Sequence, residues 1–226
     1  LGIYQNRPDE VEICGMVRPA KRRRGIFTQL LEAALVELRR RRADRVLLIV
    51  DRSFEAGTRL AESRGASIAW SEYRMLQTAG PELDSTTATI SLRPGSPADV
   101  EFVSRCICQA FDLAPEAIES ESFADRAVGS IVIEHDGAPI GTIRAEVDGE
   151  TAGIYGFAVL REHQGRGYGR AALARVCGDL RLGGVKSVHL EVLVDNPGAL
   201  HLYETCGFAT LGVEDYWLLP SLMSAA

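Results

Sequence analysis

No run of eighteen apolar residues interrupts the 226-residue chain, and its first residues lack the pattern of a secretory leader. A membrane-spanning helix is not expected, and the sequence reads as cytoplasmic. There is no basic excess either. Against 25 Lys and Arg stand 31 Asp and Glu, a net charge of −6 with a pI near 5.3. A dedicated nucleic-acid binder would present a basic face, so that class is set aside. The five cysteines (Cys14, Cys106, Cys108, Cys177 and Cys206) are odd in number and lack metal-ligand spacing. Free thiols in a reducing compartment, and no metal centre, are the expectation. Two familiar phosphate loops are missing too. No Gly-x-x-x-x-Gly-Lys-Ser/Thr occurs, and a dinucleotide fingerprint beginning at Gly165 and Gly167 would need a small residue where Arg170 stands.

What is present is a glycine-rich turn between an apolar strand and a helix, Ile154 to Arg170. A helix starting near Gly167 leaves backbone N–H groups unpaired, and with the positive end of its dipole they form a receptor for phosphate. Gly165, Gly167 and Gly169 alternate with Arg166 and Tyr168, so the backbone is open to a bulky ligand. Arg166 and Arg170 add positive charge where a diphosphate would sit. The alternative is a connection whose glycines only relieve backbone strain.

Along the chain, turn residues at 6–9 precede a strand over 11–17, and a basic turn (Arg18 to Gly25) follows. A helix then buries Phe27, Leu30, Leu31, Ala34, Leu35 and Leu38 on one face. A buried strand spans Val46–Val50, a helix closed by Gly65 spans 53–64, and a strand spans 67–77. Gln77 to Thr87 is the best linker. A fresh unit begins with a strand at 89–94 and a helix over 97–111 started by Ser96-Pro97. A short helix follows Pro115, then strands at 130–135 and 139–147. A helix over 167–182, a strand over 188–194, a helix over 196–205 closed by Gly207, and one or two strands within 208–219 complete the chain. It also repeats itself. At an offset of 142, Gly25 meets Gly167 and Gly65 meets Gly207, and Arg24, Leu31, Leu38, Arg39, Val46, Leu48, Val50, Leu60 and Glu62 meet identical residues. Two copies of one supersecondary unit explain this, the first lacking a counterpart to about residues 88–150, so roughly sixty residues are expected before Leu1.

Gln164-x-x-Gly167-x-Gly169 resembles the acyl-CoA pyrophosphate loop of the GNAT acyltransferase superfamily. Downstream, Asn196-x-x-Ala199-x-x-Leu202-Tyr203-x-x-x-Gly207-Phe208 is similar to that superfamily's second signature. The resemblance covers 88–219 fully and 11–77 in degenerate form. It implies an α/β (α+β) tandem GNAT fold, each half a mixed, mostly antiparallel sheet flanked by helices. The halves would be a partial, degenerate domain at 1–77 and a catalytic domain at 88–226, with a linker at 78–87. It implies acetyl-CoA as donor and an amine as acceptor, a small molecule or a peptide N-terminus. It also implies an internal pseudo-dimer and allows a homodimer.

Within the resemblance, Gln164, Gly165, Arg166, Gly167, Tyr168, Gly169 and Arg170 would hold the diphosphate. Ala158 and Val159 would bind pantetheine through their backbone and supply N–H groups for an oxyanion. Asn196 would bond the pantetheine arm or cap its helix. Tyr203 matches the tyrosine that acts as general acid in relatives. A phenol near pKa 10 is a poor acid towards a thiolate near 8.5, uphill by about 2 kcal/mol, so Tyr203 needs a lowered pKa or serves as a hydrogen-bond donor. Glu191 is the candidate base, through water, with Glu146 in reserve. His163, His189 and His201 are expected on surfaces. In the first copy Ala61 stands for Tyr203, Phe54 for Asn196 and Phe27 for Gly169, so that half is expected to be catalytically silent. A CoA-binding sensor or scaffold without turnover is the alternative from another class.

Overall fold

The computed structural model describes residues 1–5, 10–78, 88–111 and 127–221. The expected turn at 6–9, the short helix after Pro115 and all but the first two residues of the linker stretch lie outside them. The chain divides into two compact units, one of Leu1–Arg74, Val192–Asp195 and Leu211–Ala226, the other of Met75–Glu191 and Asn196–Thr210.

In the first unit β1 (Gly2–Tyr4) pairs antiparallel with β2 (Glu10–Cys14), and β2 pairs parallel with β3 (Arg45–Asp51). The other edge of β3 takes β10 (Ala209–Leu218) in antiparallel register from Glu214/Asp51 to Leu218/Leu47, and β4 (Ser67–Gln77) lies beyond. Residues 208–219 thus give one strand, grouped with the first unit from Leu211 onward. Between β2 and β3 runs α1 (Ile26–Arg41), and α2 (Glu55–Ser63) follows β3. The apolar spacing of α1 buries Leu31, Ala34, Leu35 and Leu38 against Val11, Ile13, Val46, Leu48 and Trp217. The first strand ends at Cys14, three residues before the expected Val17.

The second unit carries the strand run β9 (Ser187–Leu193), β8 (Thr151–Val159), β7 (Ala138–Asp148), β6 (Ile131–His135) and β5 (Ser91–Pro94). All neighbours are antiparallel except β8 and β9. Its helices are α3 (Val100–Phe111), α4 (Tyr168–Leu182) and α5 (Pro197–Thr205). Ser96 and Asp99 form a reciprocal capping box that starts a 3-10 turn leading into α3. Arg93 grips the Asp99 carboxylate at 2.7 and 2.8 Å and Glu134 at 2.7 Å, tying β5, the cap and β6 together. Gln77, placed by sequence at the edge of a linker, is fully buried at the end of β4. Its amide donates to the Cys206 carbonyl and accepts from Arg181 at 2.6 Å, which satisfies it at both ends.

Candidate active site

The strands β8 and β9 share three rungs, Thr151/Ser187, Ala152/Val188 and Gly153/His189, and then part. Beyond that point β8 continues to Val159 with β7 alone. The cause lies in β8 itself. Between Ala158/Thr142 and Tyr155/Arg144, both Gly156 and Phe157 stand against Ile143, and Gly156 has φ +53°. This is a β-bulge, which sharpens the local twist and turns the strand end away from its neighbour. The Leu160 N–H bonds the Ile140 carbonyl at 2.9 Å. Antiparallel alternation therefore aims the backbone groups of Ala158 at β7 and those of Val159 away from it, towards the opening. Ala158 is buried with Cys106 and Leu160, so Val159 is the better placed of the two expected backbone donors.

A 3-10 turn (Arg161–His163) carries the chain from β8 into the glycine turn. Gln164 braces it by donating to the Val159 carbonyl at 2.8 Å. Gly165 and Gly167 sit at φ +73° and +81°, where a side chain would be strained. The first ladder bond of α4 runs from Ala171 N–H to Gly167 C=O at 3.0 Å, and no side chain caps Gly167. The N–H groups of Tyr168, Gly169 and Arg170 therefore have no helical acceptor, and they point outward at the positive end of a fifteen-residue helix. Gly169 is the informative glycine. Its φ is ordinary, and an added Cβ would meet Leu202, Phe157 and Val159 at 3.6 to 3.8 Å, normal contact distances. Nothing in the fold requires glycine there, which fits a backbone kept bare for a ligand.

The side chains of this loop divide. Arg166 is exposed. Arg170 leans on the Thr205 carbonyl at 3.4 Å, at the far end of α5. Tyr168 is buried, its ring 4.5 Å from His135 and 6.5 Å from His163. It can offer a ligand only its backbone N–H. The Asn196 side chain accepts from Ala199 N–H at 3.1 Å, the helix-capping role of the two foreseen.

Tyr203 lies on α5 beside the end of β8, its ring 6.4 Å from Phe157 and 6.0 Å from Phe208. Burial, with a smaller contribution from Cys206, pushes its hydroxyl up to about 12. That is opposite to the lowered value a proton donor would need. Glu191 is exposed on β9. His189, expected on a surface, is half-buried and meets the Tyr155 ring edge-on at 6.4 Å. Sequence reasoning passed over Tyr155. Strand alternation was the available signal, since 153 and 155 on β8, and 189 and 191 on β9, share a face. Among the described residues no group of His, Cys, Asp and Glu could hold a metal ion, and no helix is long and apolar enough to cross a membrane.

The first copy repeats this architecture element by element. At offset 142 the 3-10 turns (Pro19–Lys21 and Arg161–His163) coincide, as do the starts of α1 and α4, the whole of β3 and β9, and the whole of α2 and α5. Arg22 even repeats the brace, donating to the Val17 carbonyl at 3.0 Å as Gln164 does to Val159. One residue is missing. Glu10 pairs with Arg45 where Thr151 pairs with Ser187, offsets of 151 − 10 = 141 and 187 − 45 = 142. The extra residue of the second copy lies at its bulge. Without it, β2 and β3 stay paired one rung longer, to Ile13/Leu48. Phe27, in the place of Gly169, packs against the core of the first unit and lies 3.3 Å from where a Gly15 Cβ would be.

The Acetyltransferase (GNAT) family profile matches residues 101–208. A mycothiol acetyltransferase of Saccharomonospora viridis is 31% identical over 87% of this chain and 70% of its own. Another from Cellulomonas flavigena is 29% identical over 93% and 68%. The fold is shared with a GCN5-related N-acetyltransferase of Sphaerobacter thermophilus, at a TM-score of 0.76 and 21% identity over 99% of this chain and 76% of that one. It is also shared with a tandem GNAT protein from the clavulanic acid biosynthesis pathway, at 0.67 and 17% over 96% and 77%. The chain belongs to the GNAT acetyltransferase family and is an N-acetyltransferase.

Proposed function

We propose that this chain moves an acetyl group from the thioester of acetyl-CoA directly to a primary amine, at a site in its second copy. One observation carries the reading: the strand that parts from its parallel neighbour, β8, ends in an uncapped glycine turn. A phosphate receptor and an open strand edge therefore lie a few residues apart. The N–H groups from Gly167 to Arg170, with Arg166, would hold the diphosphate, and Gly165 and Gln164 would shape the loop. Val159 N–H would bond the pantetheine arm, and with its neighbours would stabilise the oxyanion.

Glu191, through a water, takes one proton from the acceptor ammonium, which is nearly all charged at neutral pH. The amine nitrogen attacks the thioester carbonyl, the carbon–sulfur bond breaks, and the electron pair leaves with sulfur as the CoA thiolate. The nitrogen loses its second proton to solvent as the amide forms. Tyr203 donates a hydrogen bond to the departing sulfur and keeps its own proton. The first copy is silent in this account, and the protein acts in the cytoplasm.

The test is release of free CoA thiol from acetyl-CoA with a panel of primary amines. Amine-dependent release, lowered about a hundredfold or more by Glu191→Gln, is expected. Binding of acetyl-CoA with no release from any amine would favour a sensor.

A further inference from the structure

Tyr155 folds back along its own strand. Its phenol lies over Gly153, where an added Cβ would stand 2.5 Å from the hydroxyl and 2.6 Å from Cε2. Gly153 has no left-handed φ to accommodate. Its missing side chain serves to seat the ring. Gly153 pairs with Glu146 of β7 on one side and with His189 of β9 on the other. The hydroxyl is thus held over the last rung before the strands part. Arg144, opposite Tyr155 in register, lies over the ring at 5.4 Å and binds Glu146 at 3.0 Å. Glu191 follows His189 by two residues on the same face of β9. Burial, then the fields of Glu191 and Glu146, keep the phenol protonated above its ordinary range.

We propose that Tyr155, seated in the Gly153 notch between Glu146 and Glu191, is the positioning residue of an acceptor subsite that selects a cationic primary amine. The inference rests on the strand opening being the transfer site. The charges fit one ammonium: Arg144 offsets Glu146 and leaves Glu191, so +1 − 1 − 1 gives a net −1. Arg144 already covers the ring, so the ligand meets the hydroxyl, whose neutral oxygen accepts an ammonium N–H. Carboxylates on both sides favour cations and repel acceptors that carry a carboxylate.

The test titrates the full chain, with saturating CoA, with 1,4-diaminobutane or 4-aminobutanoate, and in a separate assay follows acetylation of both amines from acetyl-CoA. The diamine should bind about tenfold tighter than the amino acid. Tyr155→Phe should weaken the diamine about fivefold or more and raise its KM, with acetyl-CoA affinity and melting temperature unchanged. Gly153→Ala, which evicts the ring, should do the same to the amine. Equal binding of the two amines, or a Tyr155→Phe variant with wild-type diamine affinity, would overturn the proposal. Diamine binding by these rules without acetylated product would leave the subsite standing and remove the transfer reading. Acetylation of both amines at equal efficiency would do the reverse.

Discussion

A tyrosine hydroxyl near 12 cannot readily hand its proton to a thiolate whose acid lies near 8.5. The step is uphill by about 5 kcal/mol, more than twice the cost for an unperturbed phenol. A hydrogen bond to sulfur needs no such transfer and is strongest when the acceptor is charged. Tyr203→Phe should therefore lower kcat about ten- to a hundredfold while leaving the acetyl-CoA Kd unchanged, measured by thiol release and by calorimetry. The difference in ultraviolet absorbance between the wild type and this variant should show no Tyr203 phenolate below about pH 11. Phenolate appearing near neutral pH would restore the general-acid role. The sequence identified the position of Tyr203 through its spacing from Asn196, and Phe208 five residues on was a readable packing partner, but its protonation also depends on burial beside Phe157 of β8, which no local pattern encodes. Asn196 shows the converse. Its position at the start of a helix made capping one of two readings, and the bond to Ala199 shows the cap in place through the side-chain oxygen, with the amide N–H groups still able to meet a ligand.

Elements were legible wherever punctuation was local. Gly25, Gly65, Gly167 and Gly207, all at positive φ, end or begin helices where the sequence placed those boundaries. Long-range effects were hidden. The bulge at Gly156 is defined only by the register with β7, and the buried Tyr168 ring meets His135 of β6, far from it in sequence. Gly169 offers a direct test of the glycine turn. Gly169→Ala fits the protein at ordinary contact distances, so folding should be retained while the acetyl-CoA Kd rises about tenfold. An unchanged Kd would mean that no ligand approaches the backbone there. The cap of α3 supplies a test of stability. The bonds from Arg93 and then Ser96 outweigh burial and hold the Asp99 carboxyl well below the usual carboxylate range. A carboxyl lowered on folding contributes above its unfolded value, near 4, and that contribution is lost as pH falls through the folded value. Asp99→Asn should cost about 2 kcal/mol at pH 7 in denaturant titration, with the gap to wild type narrowing in acid below about pH 4. A gap that does not change with pH would contradict this.

At the scale of the whole chain, residues 10–77 and 151–218 follow one order of elements although most of their side chains differ, and their parallel strand pairs are offset by a single residue. The repeat was readable because buried Leu and Val positions were kept. The inserted residue was not, because the matched helices follow it and the offset of 142 there gives no sign of a slip in the preceding strand. Its consequence is mechanical. The bulged copy opens its parallel strand pair after Gly153/His189 and leaves Gly169 bare, while the other copy zips to Ile13/Leu48 and sets Phe27 in the glycine's place. Phe27→Gly alone should not create a second acetyl-CoA site, because the missing strand residue still holds β2 and β3 together. The most direct measurement is a calorimetric titration of the whole chain with acetyl-CoA, counting sites. One site per chain, abolished by Gly167→Trp, is the predicted result. Two sites, or one site that survives Gly167→Trp, would contradict the assignment of donor binding to the second copy's glycine turn.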